Sequence, residues 1–414
     1  MKILLIHQYF LEEDDSGGSR WNEMARMWTD VRHQVTVLAG MMHYTGSQKR
    51  LEYKGKYCVE KQQGNVFVWR CHVSESYNSN FVGRMWGYFS FVFSSLYAGW
   101  FKTKGKFDII VVTSPPLFVG ITAYLLSKSK RIPFIFEVRD LWPETAIDSG
   151  ILRSNVLIKT AYRFEKFIYK QASLVIVLTP AFRKKLIEEK HVAPEKVVFI
   201  PNAADFSLSE ELLQNFDRKS FRREQGIEDK FVISYVGAHG VLNHLEQIID
   251  TAKLTEDTNV HFLLIGQGME KPRLQQMAKE MNCRNISFLD PVPKKEVFKY
   301  IIASDMGTSV LKKADIFKTI YSNKTFDYMS CKKPILMAID GVSRELLEIA
   351  DAGVFVEPEN PKDFAKKIRI YIDNPSLIKA QGENGYKYAK KYFDRDTLAK
   401  DYLFEMEKLI TKNV

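Results

Sequence analysis

Residues 1–28 read MKILLIHQYFLEEDDSGGSRWNEMARMW. Within Lys2–His7 the unbroken apolar run Ile3-Leu4-Leu5-Ile6 has the length and composition of a buried strand. The loop after it reaches the pair Gly17-Gly18, flanked by Ser16, Ser19 and Arg20, and Ser19–Asp30 then takes up helical spacing. A strand, a glycine turn and a helix start together form an anion site, because free backbone N–H groups point outward and glycine lets a ligand come close. The plainer reading is a tight turn without a ligand.

Working outward, the same alternation continues. Gln34–Ala39, Val66–Arg70, Ile109–Thr113, Phe134–Glu137, Leu174–Leu178 and Val197–Ile200 read as strands, with helices at Leu117–Ser127, Asn155–Gln171 and Pro180–Glu189. After Pro201-Asn202-Ala203-Ala204 the pattern restarts. Strands are expected at Phe231–Val236, His261–Ile265, Ile286–Leu289, Met306–Ser309, Ile335–Ala338 and Gly353–Val356, with helices between them and in the tail 375–410. Two successive βα series predict an α/β chain of two Rossmann-like domains facing across a cleft, with C-terminal helices crossing back. The expected divisions are 1–203, 204–385 and a terminal helix 386–414, and the 414-residue length suits two domains of about 200 residues.

Composition narrows the partners. Apolar residues make up 45% and charged residues 27%, enough for a core in each half and against disorder. The four cysteines form no CxxC pair and no zinc spacing, which fits a reducing compartment. The first apolar run is too short for a signal peptide, so a cytoplasmic location is expected. The first 200 residues hold 28 Lys and Arg against 18 Asp and Glu, whereas the remainder is balanced at 32 each. A basic half faces anionic partners or is simply a solvated surface. No motif of a nucleic-acid binder is present, so no nucleic-acid partner is expected.

Trp86–Phe101 reads WGYFSFVFSSLYAGWF, without a charge in sixteen positions; Arg84 precedes it, and Lys102, Lys104 and Lys106 follow. As a helix it reaches about 24 Å, short of a roughly 30 Å hydrocarbon core. Two readings stand: a helix buried in the first domain, or an interfacial segment over 84–106. In the second reading Trp86, Tyr88, Phe89, Phe93 and Trp100 dip into a membrane while Lys102 and its neighbours meet anionic head groups.

Further glycine turns follow strands, at Gly237-Ala238-His239-Gly240 with Asn243 and His244 beyond, and at Gly266-Gln267-Gly268. Open α/β sheets bind ligands at such strand ends. In Tyr321-Ser322-Asn323-Lys324-Thr325-Phe326-Asp327, Ser322 or Asn323 can cap a helix. Lys324 then sits in a first turn whose dipole disfavours a cation, and a bound diphosphate would resolve the conflict. Asp327 lies one turn on, suited to ribose hydroxyls; the alternative is an i,i+3 surface ion pair. At the end of Phe134-Ile135-Phe136 come Glu137, Arg139, Asp140 and Glu144, four charges in eight residues, costly unless paired or used. This is a natural catalytic position, with an Arg139–Asp140 structural network as the alternative.

On these residues the chain resembles, end to end, the family-4 retaining glycosyltransferases of GT-B fold. Within them it is most similar to the branch with N-acetylfucosaminyl transferases of bacterial O-antigen and capsule assembly. The resemblance is carried by SGGSRWNEMARMW (16–28), FEVRDLWPE (136–144), IPNAADF (200–206), YVGAHG (235–240), LIGQG (264–268) and YSNKTFDYMSCKKPIL (321–336). It implies a hexosyltransferase with a nucleotide-sugar donor such as a UDP-sugar, held mainly by the second domain, and a lipid-linked acceptor met by the first. It implies that Lys324 with the helix start at 322–325 meets the diphosphate and Asp327 the ribose. Gly17 and Gly18 approach the donor phosphate or the acceptor, the loops of Gly237 and Gly266 lie by the donor, and Pro291–Pro293 passes the base. Arg139 and Asp140 fall where many relatives place a catalytic His-Asp pair, beside Glu137.

The departures are specific. Relatives often carry glutamates eight apart; here the second position is Asp327 and the first is Thr319, leaving Asp315 or backbone groups around Phe317–Ile320 as substitutes. The relatives' phosphate-binding Arg and Lys are replaced by Ala238 and His244. Front-face attack with retention, the leaving diphosphate taking the acceptor's proton, needs neither metal nor other cofactor. The string Asp394-Arg395-Asp396 is expected to cap the last helix. The location implied is the inner face of the cell membrane. Rival readings are a soluble-acceptor transferase, a nucleotide-sugar 2-epimerase of the same two-domain shape, and a non-catalytic membrane scaffold.

Overall fold

The computed structural model describes residues 1–13, 15, 20–42, 48–78, 81–148 and 152–412. The chain divides into two compact units, Met1–Pro201 with Leu398–Val414, and Asn202–Thr397.

The first unit runs β1 (Lys2–His7), α1 (Arg20–Asp30), β2 (Gln34–Gly40), β3 (Cys58–Gln63), β4 (Val66–Cys71), α2 (Phe81–Tyr97), β5 (Ile109–Thr113), α3 (Val119–Lys130), β6 (Phe134–Val138), α4 (Glu144–Asp148), α5 (Asn155–Gln171), β7 (Leu174–Val177), α6 (Pro180–Glu188) and β8 (Val197–Phe199). The strands form one sheet in the order β3-β4-β2-β1-β5-β6-β7-β8, parallel throughout except for β3 against β4. Strands β5, β6 and β7 are buried along their whole length, as their largely apolar sequences require, with Glu137 of β6 the one charged side chain among them. Strand β3, CVEKQQ, is the one strand absent from the sequence reading. It lies at the sheet edge with neither face fully covered, so it carries no apolar run.

The second unit runs α7 (Phe206–Asn215), α8 (Arg218–Glu224), β9 (Phe231–Val236), α9 (Glu246–Leu254), β10 (Val260–Ile265), α10 (Lys271–Glu280), β11 (Ile286–Leu289), α11 (Lys294–Ala303), β12 (Met306–Val310), α12 (Asn323–Ser330), β13 (Ile335–Ala338), α13 (Val342–Ile349), β14 (Gly353–Phe355), α14 (Pro361–Asp373) and α15 (Ser376–Tyr392). Its six strands are all parallel in the order β11-β10-β9-β12-β13-β14. This is the doubly wound Rossmann order, and the sheet's direction of winding reverses between β9 and β12. In the first unit the corresponding reversal lies between β1 and β5.

The tail is not continuous helix. It breaks at Phe393–Asp394 before α16 (Arg395–Lys412), where Asp394 Oδ1 accepts from the amides of Asp396 at 2.9 Å and Thr397 at 3.3 Å. The acidic string therefore caps a helix, as expected. From Leu398 onward α16 belongs to the first unit. There Tyr402 meets Trp21 and Trp28 of α1 with ring centroids 5.7 and 5.4 Å apart, and Trp28 Nε1 donates to the Ala399 carbonyl at 3.1 Å. Each such ring buries on the order of 150–250 Å². At about 25 cal/mol per Å², each contributes several kcal/mol before entropy. This apolar knot fixes α16 on the first unit.

Candidate active site

In the second unit the two glycine turns lie against each other. Gly237 N donates to Ile265 O (3.0 Å), His239 N to Gln267 O (2.9 Å) and Glu270 N to His239 O (3.0 Å). At Gly266, φ is +153° and a Cβ would stand 1.9 Å from the Gly237 carbonyl, so the close approach requires glycine. Gly237 itself faces Lys324, whose Cε would lie 3.3 Å from an added Cβ. The turn after β9 thus opens onto the start of α12.

Lys324 is the central side chain there. Its ammonium lies 4.8 Å from the Tyr235 ring centre and makes no hydrogen bond or ion pair among the described residues. Burial pulls it down to about 8, with Asp327 opposing. Asp327, one turn on, likewise has no hydrogen bond to its carboxylate. Burial pushes it up to about 6; Lys294 opposes, Asp205 adds and Lys324 opposes. Lys294 is itself paired with Asp205 at 2.8 Å.

The cap of α12 differs from expectation. Ser322 occupies the cap position but makes no capping bond; its hydroxyl accepts from Ser309 Oγ at 2.6 Å. Asn323 Oδ1 instead accepts from Asn202 Nδ2 at 2.6 Å. Both candidate caps are turned aside, and among the described residues no side chain closes the first-turn amides of this eight-residue helix. The Thr325 hydroxyl is buried without a partner among the described residues.

The remaining expected residues lie around this point in sequence but not all in contact with it. Thr319 ends a short 3-10 turn and donates to Ile316 O at 2.7 Å. Asp315 is exposed and paired with Lys318 at 2.8 Å. His244 adopts a left-handed backbone (φ +45°) before α9, its Nδ1 3.9 Å from Glu246. Pro293 is the cap residue of α11.

In the first unit the four charges from the end of β6 onward divide evenly. Glu137 is wholly buried and paired with Arg20 at 3.1 Å. Arg20 also donates to the carbonyls of Ile200 and Pro201, tying α1 to the end of the domain. Glu144 pairs with Lys190 at 2.8 Å. Arg139 and Asp140 have no hydrogen bond or ion pair among the described residues. Burial lowers the Arg139 guanidinium, with Glu137 opposing. Desolvation raises the Asp140 carboxyl and Arg139 opposes it, although Asp140 keeps an exposed face to water. His7, at the end of β1, is buried with Nδ1 unpartnered, and burial together with the Arg139 and Arg70 charges holds it well below the usual histidine range.

Gly17 and Gly18 lie outside the described residues. Just before them a second network escaped the sequence reading. Buried Arg70 pairs with Glu12 at 3.0 Å and donates to the carbonyls of Phe10 and Leu11, while the Tyr53 hydroxyl also donates to Glu12. Its partners are some sixty residues away in sequence, so no local pattern announces it.

The aromatic segment forms α2 and a following π-turn, Ala98–Lys102. Phe91, Val92 and Leu96 face the core, whereas Val82, Trp86, Phe93, Tyr97, Trp100 and Phe101 are exposed. Tyr88 and Phe89 are half-buried against Phe118, with centroids 6.1 and 4.9 Å away. Lys102 is exposed, its ammonium over Tyr97. No helix of the described residues is long and apolar enough to cross a membrane.

Residues 17–203 match the family described as Glycosyl transferase 4-like domain, and residues 217–388 match Glycosyl transferases group 1. A protein of Escherichia coli K12 named for a glycosyl transferase of colanic acid biosynthesis, WcaI, is 22% identical over 97% of this chain and 99% of its own length. The N,N'-diacetylbacillosaminyl-diphospho-undecaprenol alpha-1,3-N-acetylgalactosaminyltransferase of Campylobacter jejuni is 22% identical over 70% of this chain and 74% of its own. The crystal structure of Anabaena HepE in complex with UDP-glucose superposes with a TM-score of 0.71 at 18% identity, covering 99% of this chain and 100% of that one. With one family domain in each half and a full-length relative, the chain belongs to the glycosyltransferases, a 4-like domain followed by a group 1 domain in the GT-B fold.

Proposed function

We propose that the protein is a retaining, metal-independent transferase. It moves an N-acetylated hexosamine or deoxyhexosamine from a UDP-sugar to an undecaprenyl-diphosphate-linked sugar, in bacterial O-antigen or capsule assembly. The observation that carries this reading is the unpaired Lys324 ammonium beside the open first turn of α12. A half-buried cation without a partner is costly, and a diphosphate supplies the missing charge while accepting from the helix amides. Asp327 takes the ribose hydroxyls, the turns at Gly237 and Gly266 flank the phosphates, and the loop at Pro293 passes the base. Arg139 and Asp140 serve the acceptor and the transferred sugar; Glu137, held by Arg20, positions them.

The undecaprenol acceptor named for the Campylobacter relative favours a lipid-linked acceptor, and the exposed face of α2 favours the inner face of the cell membrane as its location. Val82, Trp86, Phe93 and Tyr97 follow helical spacing along one side, with Lys102, Lys104 and Lys106 exposed beyond them. Flotation with anionic liposomes should carry the protein, and replacing Trp86 and Trp100 with Ala should release it.

Calorimetric titration with UDP tests the donor site. Lys324→Ala should weaken binding by about 30–150-fold, the loss expected for a charged hydrogen bond to phosphate of about 2–3 kcal/mol. Unchanged UDP affinity in that variant would remove the diphosphate assignment.

A further inference from the structure

Two of the four cysteines face each other across the edge hairpin. In the β3–β4 register Cys58 is the direct partner of Cys71. The pair just outside it, Tyr57 and His72, is joined by a ladder hydrogen bond from His72 N to Tyr57 O at 2.9 Å. Antiparallel pairs alternate between hydrogen-bonded and non-hydrogen-bonded positions, so Cys58 and Cys71 occupy the latter, where Cα atoms approach to about 4.5 Å. That separation lies inside the disulfide range of roughly 4.4–6.8 Å.

The two thiols differ in access. Cys58 is partly open to solvent and its Sγ reaches the Ser94 carbonyl of α2 at 3.7 Å; Cys71 is wholly buried. We propose that Cys58 and Cys71 are an oxidisable dithiol, a modification site at which a peroxide converts the pair to a disulfide that ties edge strand β3 to β4 beneath α2. The facing Cys71 thiol, whose own Sγ donates to the Trp69 carbonyl at 3.4 Å, holds the Cys58 thiol below its usual range, with Lys102 adding to this, whereas burial pushes Cys71 up. Cys58 is therefore the attacking sulfur and Cys71 the resolving one.

The chemistry balances in two steps. The Cys58 sulfur attacks one peroxide oxygen, the O–O bond breaks, and sulfenic acid and water form. The Cys71 sulfur then attacks the Cys58 sulfur, and the hydroxyl leaves as a second water with the Cys71 proton. Two thiols are oxidised to one disulfide and one hydrogen peroxide is reduced.

The test is to expose the native, full-length protein to hydrogen peroxide, block the remaining thiols with iodoacetamide, and map peptides by mass spectrometry. The expected result is a peptide pair joined through Cys58 and Cys71, reversed by dithiothreitol, while Cys283, also partly exposed, stays alkylated. The oxidised protein should melt at a higher temperature than the reduced one, and Cys71→Ser should remove that shift and leave Cys58 as a sulfenic or sulfinic acid. The proposal falls if Cys58 is no more reactive than Cys283, or if Cys58 oxidises in the native protein without joining Cys71.

Discussion

The carboxyl end of β6 in the first domain and the start of α12 in the second both gather charge beside a parallel sheet, yet they treat it differently. At the end of β6 and just beyond it, Glu137 and Glu144 are each matched by a cation, and Arg20 spreads its donors over Glu137 and two carbonyls. At α12, the side chains of Lys324 and Asp327 have no hydrogen bond among the described residues, and the potential caps Ser322 and Asn323 are engaged elsewhere. A pair completed inside the protein belongs to the architecture; a charge left open, and titrating abnormally for it, awaits something from outside. Arg139 and Asp140 extend the second pattern into the first domain.

The sharpest way to break this contrast is Glu137→Ala. It strands the buried Arg20 guanidinium, and removing one partner of a buried pair costs about 3–5 kcal/mol. Denaturant unfolding should show that loss, whereas Lys324→Ala, which deletes no partner, should leave stability within about 0.5 kcal/mol or raise it. A Lys324→Ala variant that unfolds as easily as Glu137→Ala would place Lys324 with the architecture instead.

A smaller effect separates charge from shape at Lys324. Its folded value is lowered to about 8, so the ammonium is present at pH 7 and is lost as pH rises through 8. Diphosphate binding draws on the charged form alone. UDP affinity, corrected for the phosphate's own titration, should therefore decline by about tenfold between pH 7 and 9 and keep falling beyond it towards the level of Lys324→Ala. Lys324→Arg, charged throughout, should flatten that profile even if its affinity at pH 7 is lower. An equal decline in both variants would assign the titration to another group.

Much of this was legible in the sequence, for physical reasons that also set the limits. Strands buried on both faces, such as residues 3–6 within β1 and Leu174–Val177, declare themselves by unbroken apolar runs, and two such series gave the two sheets. The polar edge strand β3 has no such run and was invisible. The oddity of a lysine in a helix's first turn could be read locally, so Lys324 stood out. The fate of Ser322 could not, since its partner Ser309 comes from another element. Arg20 and Arg70 were missed for the same reason: their acids lie 117 and 58 positions away, and ion pairing across a fold has no local period. In α2 the composition announced an apolar helix, but which rings face outward depends on the core behind it, so Tyr88 and Phe89 turned inward against Phe118.

The smallest predicted change carries the contrast to a single carboxylate. Burial raises Asp327 to about 6 from an unfolded value near 3.8, so the folded protein holds its proton more tightly than the unfolded chain. A raised carboxyl penalises folding above its folded value, and the penalty shrinks as pH falls through 6 and vanishes below about 4. Asp327→Asn should therefore stabilise the ligand-free protein by about 1–2 kcal/mol at pH 7 and by nearly nothing at pH 4, read from denaturant midpoints at the two values. The same variant should bind UDP more weakly, because an amide accepts fewer ribose hydroxyl bonds than a carboxylate. Stability gained where affinity is lost is the signature of a group kept for a ligand. If Asp327→Asn instead destabilises at pH 7, the carboxylate is paired within the protein, and α12 would handle its charge as β6 does.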